Sequence, residues 1–200
     1  MEPVFSRVCG IDEAGRGPLA GPVTACAVIL SGNFPTHILR DSKAMSPPAR
    51  IRVASVIRRE AIDYGVGWSW PEEIDHLNIH RATLLAMKRA LCALSVTPEL
   101  VLVDGCFAPL TPCPSRCVIG GDRTVPQIQA ASIIAKTMRD LWMQRYSRIE
   151  PVYGFNRHKG YPTREHRDSI RAIGVSAIHR RSFRLLESSD PPGCPFTDSL

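Results

Sequence analysis

No stretch of this 200-residue chain is apolar for long enough to cross a membrane, and the opening Met1-Glu2-Pro3-Val4-Phe5-Ser6-Arg7 has no apolar core followed by a cleavage site. A cytoplasmic protein is the expectation. Internal repeats are also missing, which argues against solenoids and propellers, and the length suits one α/β domain with a sizeable core. Paired cysteine spacing is absent as well. The seven cysteines are odd in number and scattered over Cys9, Cys26, Cys92, Cys106, Cys113, Cys117 and Cys194, so no disulfide framework is expected and they read as reduced and mostly buried. Cys106, Cys113 and Cys117 lie near one another but lack the C-x-x-C of a structural zinc site.

What the chain does have is a concentration of acid and glycine near its start. In Gly10-Ile11-Asp12-Glu13-Ala14-Gly15-Arg16-Gly17-Pro18-Leu19-Ala20-Gly21-Pro22, two adjacent carboxylates close a short apolar run and a glycine-rich turn follows at once. Val8, Cys9 and Ile11 before them, and Val23 to Leu30 after the turn, read as two buried strands. A carboxylate there is costly unless paired or bound to metal. Gly15, Gly17 and Gly21 allow backbone N–H groups close to a ligand, and Arg16 offers a fork of donors suited to phosphate.

Two further acids end apolar runs. Pro98-Glu99-Leu100-Val101-Leu102-Val103-Asp104-Gly105 is a strand-like run, Glu99 to Asp104 being read as a central strand whose acid sits at the carboxyl edge of a sheet, where α/β proteins bind ligands. Cys117-Val118-Ile119-Gly120-Gly121-Asp122 repeats the pattern just ahead of a long helix. Each acid alone reads equally as a turn former or a helix N-cap. Asp12, Glu13, Asp104 and Asp122 together make a shared Mg²⁺ or Mn²⁺ site the economical account, since hard cations take oxygen ligands.

Pattern and punctuation give the rest of the outline. Pro47-Pro48 opens a helix running to Glu60, and Ala61 to Trp70 turns strand-like. A short helical piece over Pro71 to Leu77 leads into a stronger helix from Ile79 to Leu94. From Pro126 through Trp142 apolar residues recur at helical spacing, and the small residues Ala130, Ala131, Ser132 and Ala135 would let that helix lie close on the sheet, with Lys136 toward phosphate. Strands alternating with helices indicate a mixed sheet covered by helices. The tail over 188–200 reads as disordered.

The formal net charge of +6 favours a polyanion as partner. Its excess is concentrated in Arg157, Lys159, Arg164, Arg167, Arg171, Arg180, Arg181 and Arg184, opposed only by Glu165 and Asp168, so this segment is the expected nucleic-acid face. His158, His166 and His179 fall in the same segment, as phosphate contacts or as structural partners of nearby backbone. A catalytically silent nucleic-acid-binding module would explain the basic face, but four acids without metal would repel phosphate.

Taken in order, Gly10 to Pro22, Asp41-Ser42-Lys43, Leu102-Val103-Asp104-Gly105, Gly121-Asp122, Ala130 to Lys136, Tyr153-Gly154-Phe155, His158 to Thr163 and His179-Arg180-Arg181-Ser182-Phe183 resemble bacterial ribonuclease HII, over nearly the whole chain. The resemblance implies an RNase H-like mixed β-sheet flanked by helices, forming one catalytic domain over 1–187 whose basic C-terminal helical segment, about 151–187, lies beside the substrate groove. It implies a metal-dependent endonuclease that hydrolyses the RNA strand of RNA/DNA hybrids and cuts 5′ of ribonucleotides embedded in duplex DNA, leaving 3′-hydroxyl and 5′-phosphate. Asp12, Glu13, Asp104 and Asp122 match the four acidic positions that hold two divalent ions, Mn²⁺ or Mg²⁺. Gly15, Arg16 and Gly17 match the loop whose backbone contacts the 2′-hydroxyl, and Tyr161 matches the tyrosine that bonds the same hydroxyl and stacks on the next deoxyribose. Lys43, Lys136 and Lys159 are expected phosphate contacts in a monomeric enzyme of ribonucleotide excision repair. The sister family, ribonuclease HIII, resembles Gly-Thr-Gly at the loop and adds an N-terminal domain for which the short lead-in before Asp12 leaves no room.

Overall fold

The computed structural model describes residues 5–186. The expected disordered tail over 188–200, with Cys194, lies outside them. Strand β1 (Val8–Ala14) pairs antiparallel with β2 (Val23–Ile29), which pairs antiparallel with β3 (Asp63–Ser69). On its other side β1 runs parallel to β4 (Leu100–Asp104), and β4 runs parallel to β5 (Ser115–Val118). The order β3-β2-β1-β4-β5 makes β1 the middle strand and keeps β4 inside the sheet, as expected. β1 takes the centre because it alone carries both kinds of pairing.

Helices cover both faces. Helix α1 (Pro47–Glu60) starts where the Ser46 side chain accepts the Ala49 N–H and proline fills the first position. Helix α2 (Pro71–Cys92) opens with the Glu73 side chain accepting the Trp70 N–H. Its two expected pieces are joined by a kink at Asn78 (φ 66°), whose side-chain oxygen accepts the N–H groups of His80 and Arg81 and so caps the second piece. The short α3 (Gly121–Thr124) precedes α4 (Pro126–Tyr146). Among the described residues from 151 on, regular helix is confined to a 3₁₀ turn at Pro151–Tyr153, α5 (Phe155–His158) and α6 (Arg164–Ile173).

The strands' period of two sorts the core into halves. Cys9, Ile11, Ala25, Ala27, Val101 and Val103 pack with α2 residues such as Ile74, Ala86 and Ala90. On the opposite face, Cys26 and Val28 pack against Ala54 and Ile57 of α1 and Ala130 to Ala135 of α4. Helix α4 lies so close that a Cβ on Gly10 would come 2.2 Å from the Gln127 carbonyl carbon. Small residues on both elements make that approach possible.

The cysteines depart from expectation. Cys9 and Cys26 are buried, but Cys92, Cys106 and Cys117 are exposed and Cys113 is partly so, because they occupy a helix end, a loop and the edge strand β5. Arg180 is a second correction: read as part of a basic surface, it is fully buried.

Candidate active site

Asp12 and Asp104 follow from strand register. Ile11 pairs with Val103 in the parallel β1–β4 ladder, so the next residue of each strand is an acid, and both acids fall on the face toward α4. Asp122 comes in from α3, where its backbone N–H donates to Asp104 Oδ1 at 3.4 Å. Glu13 follows Asp12 and accepts from Arg16 at 3.2 Å. Asp12 is 5% exposed and Asp122 7%, a degree of burial rare for carboxylates.

That burial raises the Asp12 carboxyl well above the usual range, and Glu13 and Asp104 push it further, against the opposing influence of the Ser132 hydroxyl. Glu13 is raised too, first by burial and then by Asp104, with Arg16 opposing. Lys43 sits 3.3 Å from Asp122; partial burial works against its charge, but the bond to Asp122 outweighs this and the Lys43 pKa is raised. Among the described residues no three His, Cys, Asp or Glu side chains close into a ready-made cage. Glu13 and Asp122 are turned instead to Arg16 and Lys43. The donor set is nonetheless all carboxylate, with like charges crowded at one sheet edge, which is the chemistry that suits a hard divalent cation.

Beside the acids opens a cleft of about 440 Å³ lined by Glu13, the Gly15-Arg16-Gly17 turn, Ser42, Lys43, Ser132, Lys136 and Tyr161. A Cβ on Gly17 would meet the Tyr161 ring at 3.9 Å, so turn and ring face each other across it. The Tyr161 hydroxyl makes no hydrogen bond among the described residues, and the residue is 38% exposed. Lys136 Nζ lies 5.4 Å from that ring's centre and is bonded to Asp140, which also pairs with the buried Arg50. Lys159 does not line the cleft; its ammonium donates to the Asn156 carbonyl.

Two residues central to this geometry go unrecognised in the sequence as buried supports, Arg139 altogether and Arg180 as one member of the basic segment. Arg139 and Arg180 are both 0% exposed, and among the described residues neither forms an ion pair, Asp140 and Asp75 acting on them only at longer range. Arg180 donates to the carbonyls of Gly15 (2.6 Å), Arg16 (2.9 Å) and Gly21 (2.9 Å), and Arg139 to those of Pro22, Ala20 and Lys159 at 2.9–3.1 Å. The glycine turn is thus gripped from behind by its carbonyls. Gly15 (φ 95°) could not carry a Cβ, which would fall 2.0 Å from Arg139 Nε. Burial lowers the Arg139 pKa to about 10; burial and the neighbouring Arg139 lower that of Arg180 to about 9. Main-chain bonds complete the weld: Leu19 N–H to the Gly160 carbonyl and Gly21 N–H to that of Ile178, both 2.8 Å. A signal was present in the His179-Arg180 pair of the matched motif, but not its buried role.

A five-stranded mixed sheet with acids at the carboxyl ends of neighbouring strands and a cationic cleft beside them defines an RNase H-like nuclease. Among solved structures the fold is similar to ribonuclease H2 from Pyrococcus horikoshii OT3 (TM-score 0.75, 23% identity, 90% of this chain and 94% of that one). It is also similar to Bst-RNase HIII in complex with Mn²⁺ (TM-score 0.69, 18% identity, 90% and 67%). The family profile for ribonuclease HII matches residues 9–186. The ribonuclease HII of Nitrosococcus oceani is 52% identical over 178 residues, 89% of each chain. The chain belongs to the ribonuclease HII family, and with that membership it is a ribonuclease H, an endoribonuclease acting on RNA/DNA hybrids.

Proposed function

We propose that this chain also cuts on the 5′ side of single ribonucleotides embedded in duplex DNA, as one catalytic unit acting as a monomer in the cytoplasm, in ribonucleotide excision repair and DNA replication. The observation that carries this reading is the cleft itself, in which Tyr161 faces the Gly15-Arg16-Gly17 turn directly beside Glu13. A general nuclease needs no sugar reader, whereas an enzyme that finds one ribonucleotide must recognise a 2′-hydroxyl.

Asp12, Glu13, Asp104 and Asp122 would hold two divalent ions, Mg²⁺ or Mn²⁺, which when bound supply activation of the attacking water and charge stabilisation at the leaving 3′ oxygen. A Mn²⁺ complex of the structurally similar Bst-RNase HIII supports this assignment. The protein's own residues do the rest. Backbone groups of Gly15, Arg16 and Gly17, in a turn held from behind by Arg180, meet the 2′-hydroxyl. Tyr161 donates its unpaired hydroxyl to the same oxygen and lays its ring on the next deoxyribose. Lys43 and Lys136 flank the cleft as phosphate contacts, and Lys159 stands further back. Arg157, Arg164, Arg181 and Arg184, all exposed, carry the flanking duplex.

The test is cleavage of a labelled DNA duplex containing one ribonucleotide, beside an all-DNA duplex and a full RNA/DNA hybrid, with Mg²⁺ and with Mn²⁺. A cut immediately 5′ of the ribonucleotide, leaving 3′-hydroxyl and 5′-phosphate, is expected. Cleavage of the hybrid alone would remove the proposal and leave the family activity standing.

A further inference from the structure

The loop that presents Tyr161 has a backbone that side chains resist. Lys159 (φ 52°) and Gly160 (φ 82°) are successive left-handed residues. A non-glycine residue there is strained and persists only where its surroundings impose it. Three buried histidines impose it here. His158 Nδ1 accepts the Gly160 N–H at 3.2 Å, while its Nε2 lies 2.6 Å from the Tyr153 carbonyl. A carbonyl only accepts, so the proton of His158 is on Nε2.

The same logic, assigning tautomers from the bonding network, runs through the other two rings. His179 Nδ1 accepts the Ser176 N–H at 2.8 Å, which puts the His179 proton on Nε2. That atom lies 3.0 Å from His166 Nε2, so His166 accepts there and carries its own proton on Nδ1. His166 Nδ1 is 3.0 Å from the carbonyl of Tyr161. Each assignment forces the next, and the bonds run one way, from the Ser176 amide through two rings to the tyrosine main chain. His166 is fixed a second time by its backbone N–H, which the Thr163 hydroxyl accepts at 3.2 Å, and by stacking on His158 with ring centres 4.4 Å apart.

We propose that the His179–His166 relay holds the Tyr161 ring in place across the cleft from Gly17, which makes His166 and His179 positioning residues for sugar recognition, a role that rests on the reading of Tyr161 given above. Neither ring lines the cleft, so both act through the tyrosine. A purely structural pair would stabilise the domain without regard to whether residue 161 carries a ring.

A double-mutant cycle separates these cases. We would measure kcat/KM on the single-ribonucleotide duplex for wild type, His166→Ala, Tyr161→Ala and the double variant, with a thermal melt of each. His166→Ala and Tyr161→Ala should each lose activity, and the double variant should be no worse than Tyr161→Ala. Additive losses in folded proteins would overturn the proposal and leave the tyrosine as reader. Full activity of Tyr161→Ala would overturn that reading and the relay's role with it. Should His166→Ala fail to fold, His166→Asn and His166→Gln replace it, because asparagine keeps a donor near the Nδ1 position and glutamine does not. Asn should then retain more activity than Gln, and equal activity of the two would sink the relay.

Discussion

At the acidic edge, burial sets carboxylates against one another: Asp12 and Glu13 are raised by desolvation and by Asp104, and the Ser132 hydroxyl, Arg16 and Lys43 offset part of the excess. On the far side of the glycine turn, Arg139 and Arg180 are buried more completely still, yet each is surrounded by three carbonyl oxygens aimed at its guanidinium. The first region keeps an unresolved like charge, which makes it receptive to cations. The second is over-determined, which suits the sugar-reading role proposed for the turn. A catalytic edge tolerates tension that a reading surface cannot.

The largest expected effect comes from the edge. Asp104→Asn removes one carboxylate while keeping its shape, so cleavage of the single-ribonucleotide duplex should fall below detection. Affinity, measured by anisotropy in Ca²⁺, should be unchanged or slightly tighter because a negative charge near phosphate is gone. Near wild-type turnover would show that the edge is not the reactive centre.

On the reading side, Arg180→Met should first cost stability. It strands the carbonyls of Gly15, Arg16 and Gly21, and with relief of the buried charge offsetting part of the loss, about 3 kcal/mol is expected. In a domain of this size that lowers Tm by roughly 6–12 °C. An unchanged melting temperature would mean the turn holds its form without the grip.

Much of the acidic edge was legible in the sequence because strand endings have a pattern: a short continuous apolar run, then an acid, then glycine, as in Leu100-Val101-Leu102-Val103-Asp104-Gly105. The division of α2 at Asn78 was legible for a similar reason, since the apolar stripe restarts at Ile79. The buried cations were not. Arginine partnered by backbone carbonyls from distant segments leaves no trace in residue type, and Arg180 reads like its exposed neighbours Arg181 and Arg184. Nor did the sequence say which histidines were internal; His158, His166 and His179 differ from surface histidines only in what the fold brings to them.

Those histidines give the reading side a pH signature. Burial lowers His166 and His179 to about 4 in the folded protein, below the ordinary 6.5 of the unfolded chain. Between those values the unfolded chain binds more protons, so stability is fully present above pH 6.5 and is lost as the pH falls toward 4. Thermal melts across that window should show a steeper fall for wild type than for His166→Asn, which cannot take up the proton. Parallel curves would mean that carboxylates alone govern the acid limb.

The smallest effect tests the contact itself. Tyr161 is part-exposed at the cleft wall, and among the described residues its hydroxyl has no hydrogen-bond partner that would depend on that oxygen. Tyr161→Phe should therefore leave Tm unchanged and cost only one neutral hydrogen bond to substrate, about 0.5–1.5 kcal/mol, or roughly two- to tenfold in kcat/KM. Tyr161→Ala also removes the stacking surface, about 1–3 kcal/mol more. The order matters more than either size: wild type above Phe above Ala on the single-ribonucleotide duplex, with all three folded. If Phe matched wild type while Ala fell, the ring would serve as a platform only, and recognition of the 2′-hydroxyl would rest on the Gly15-Arg16-Gly17 backbone that Arg180 holds forward.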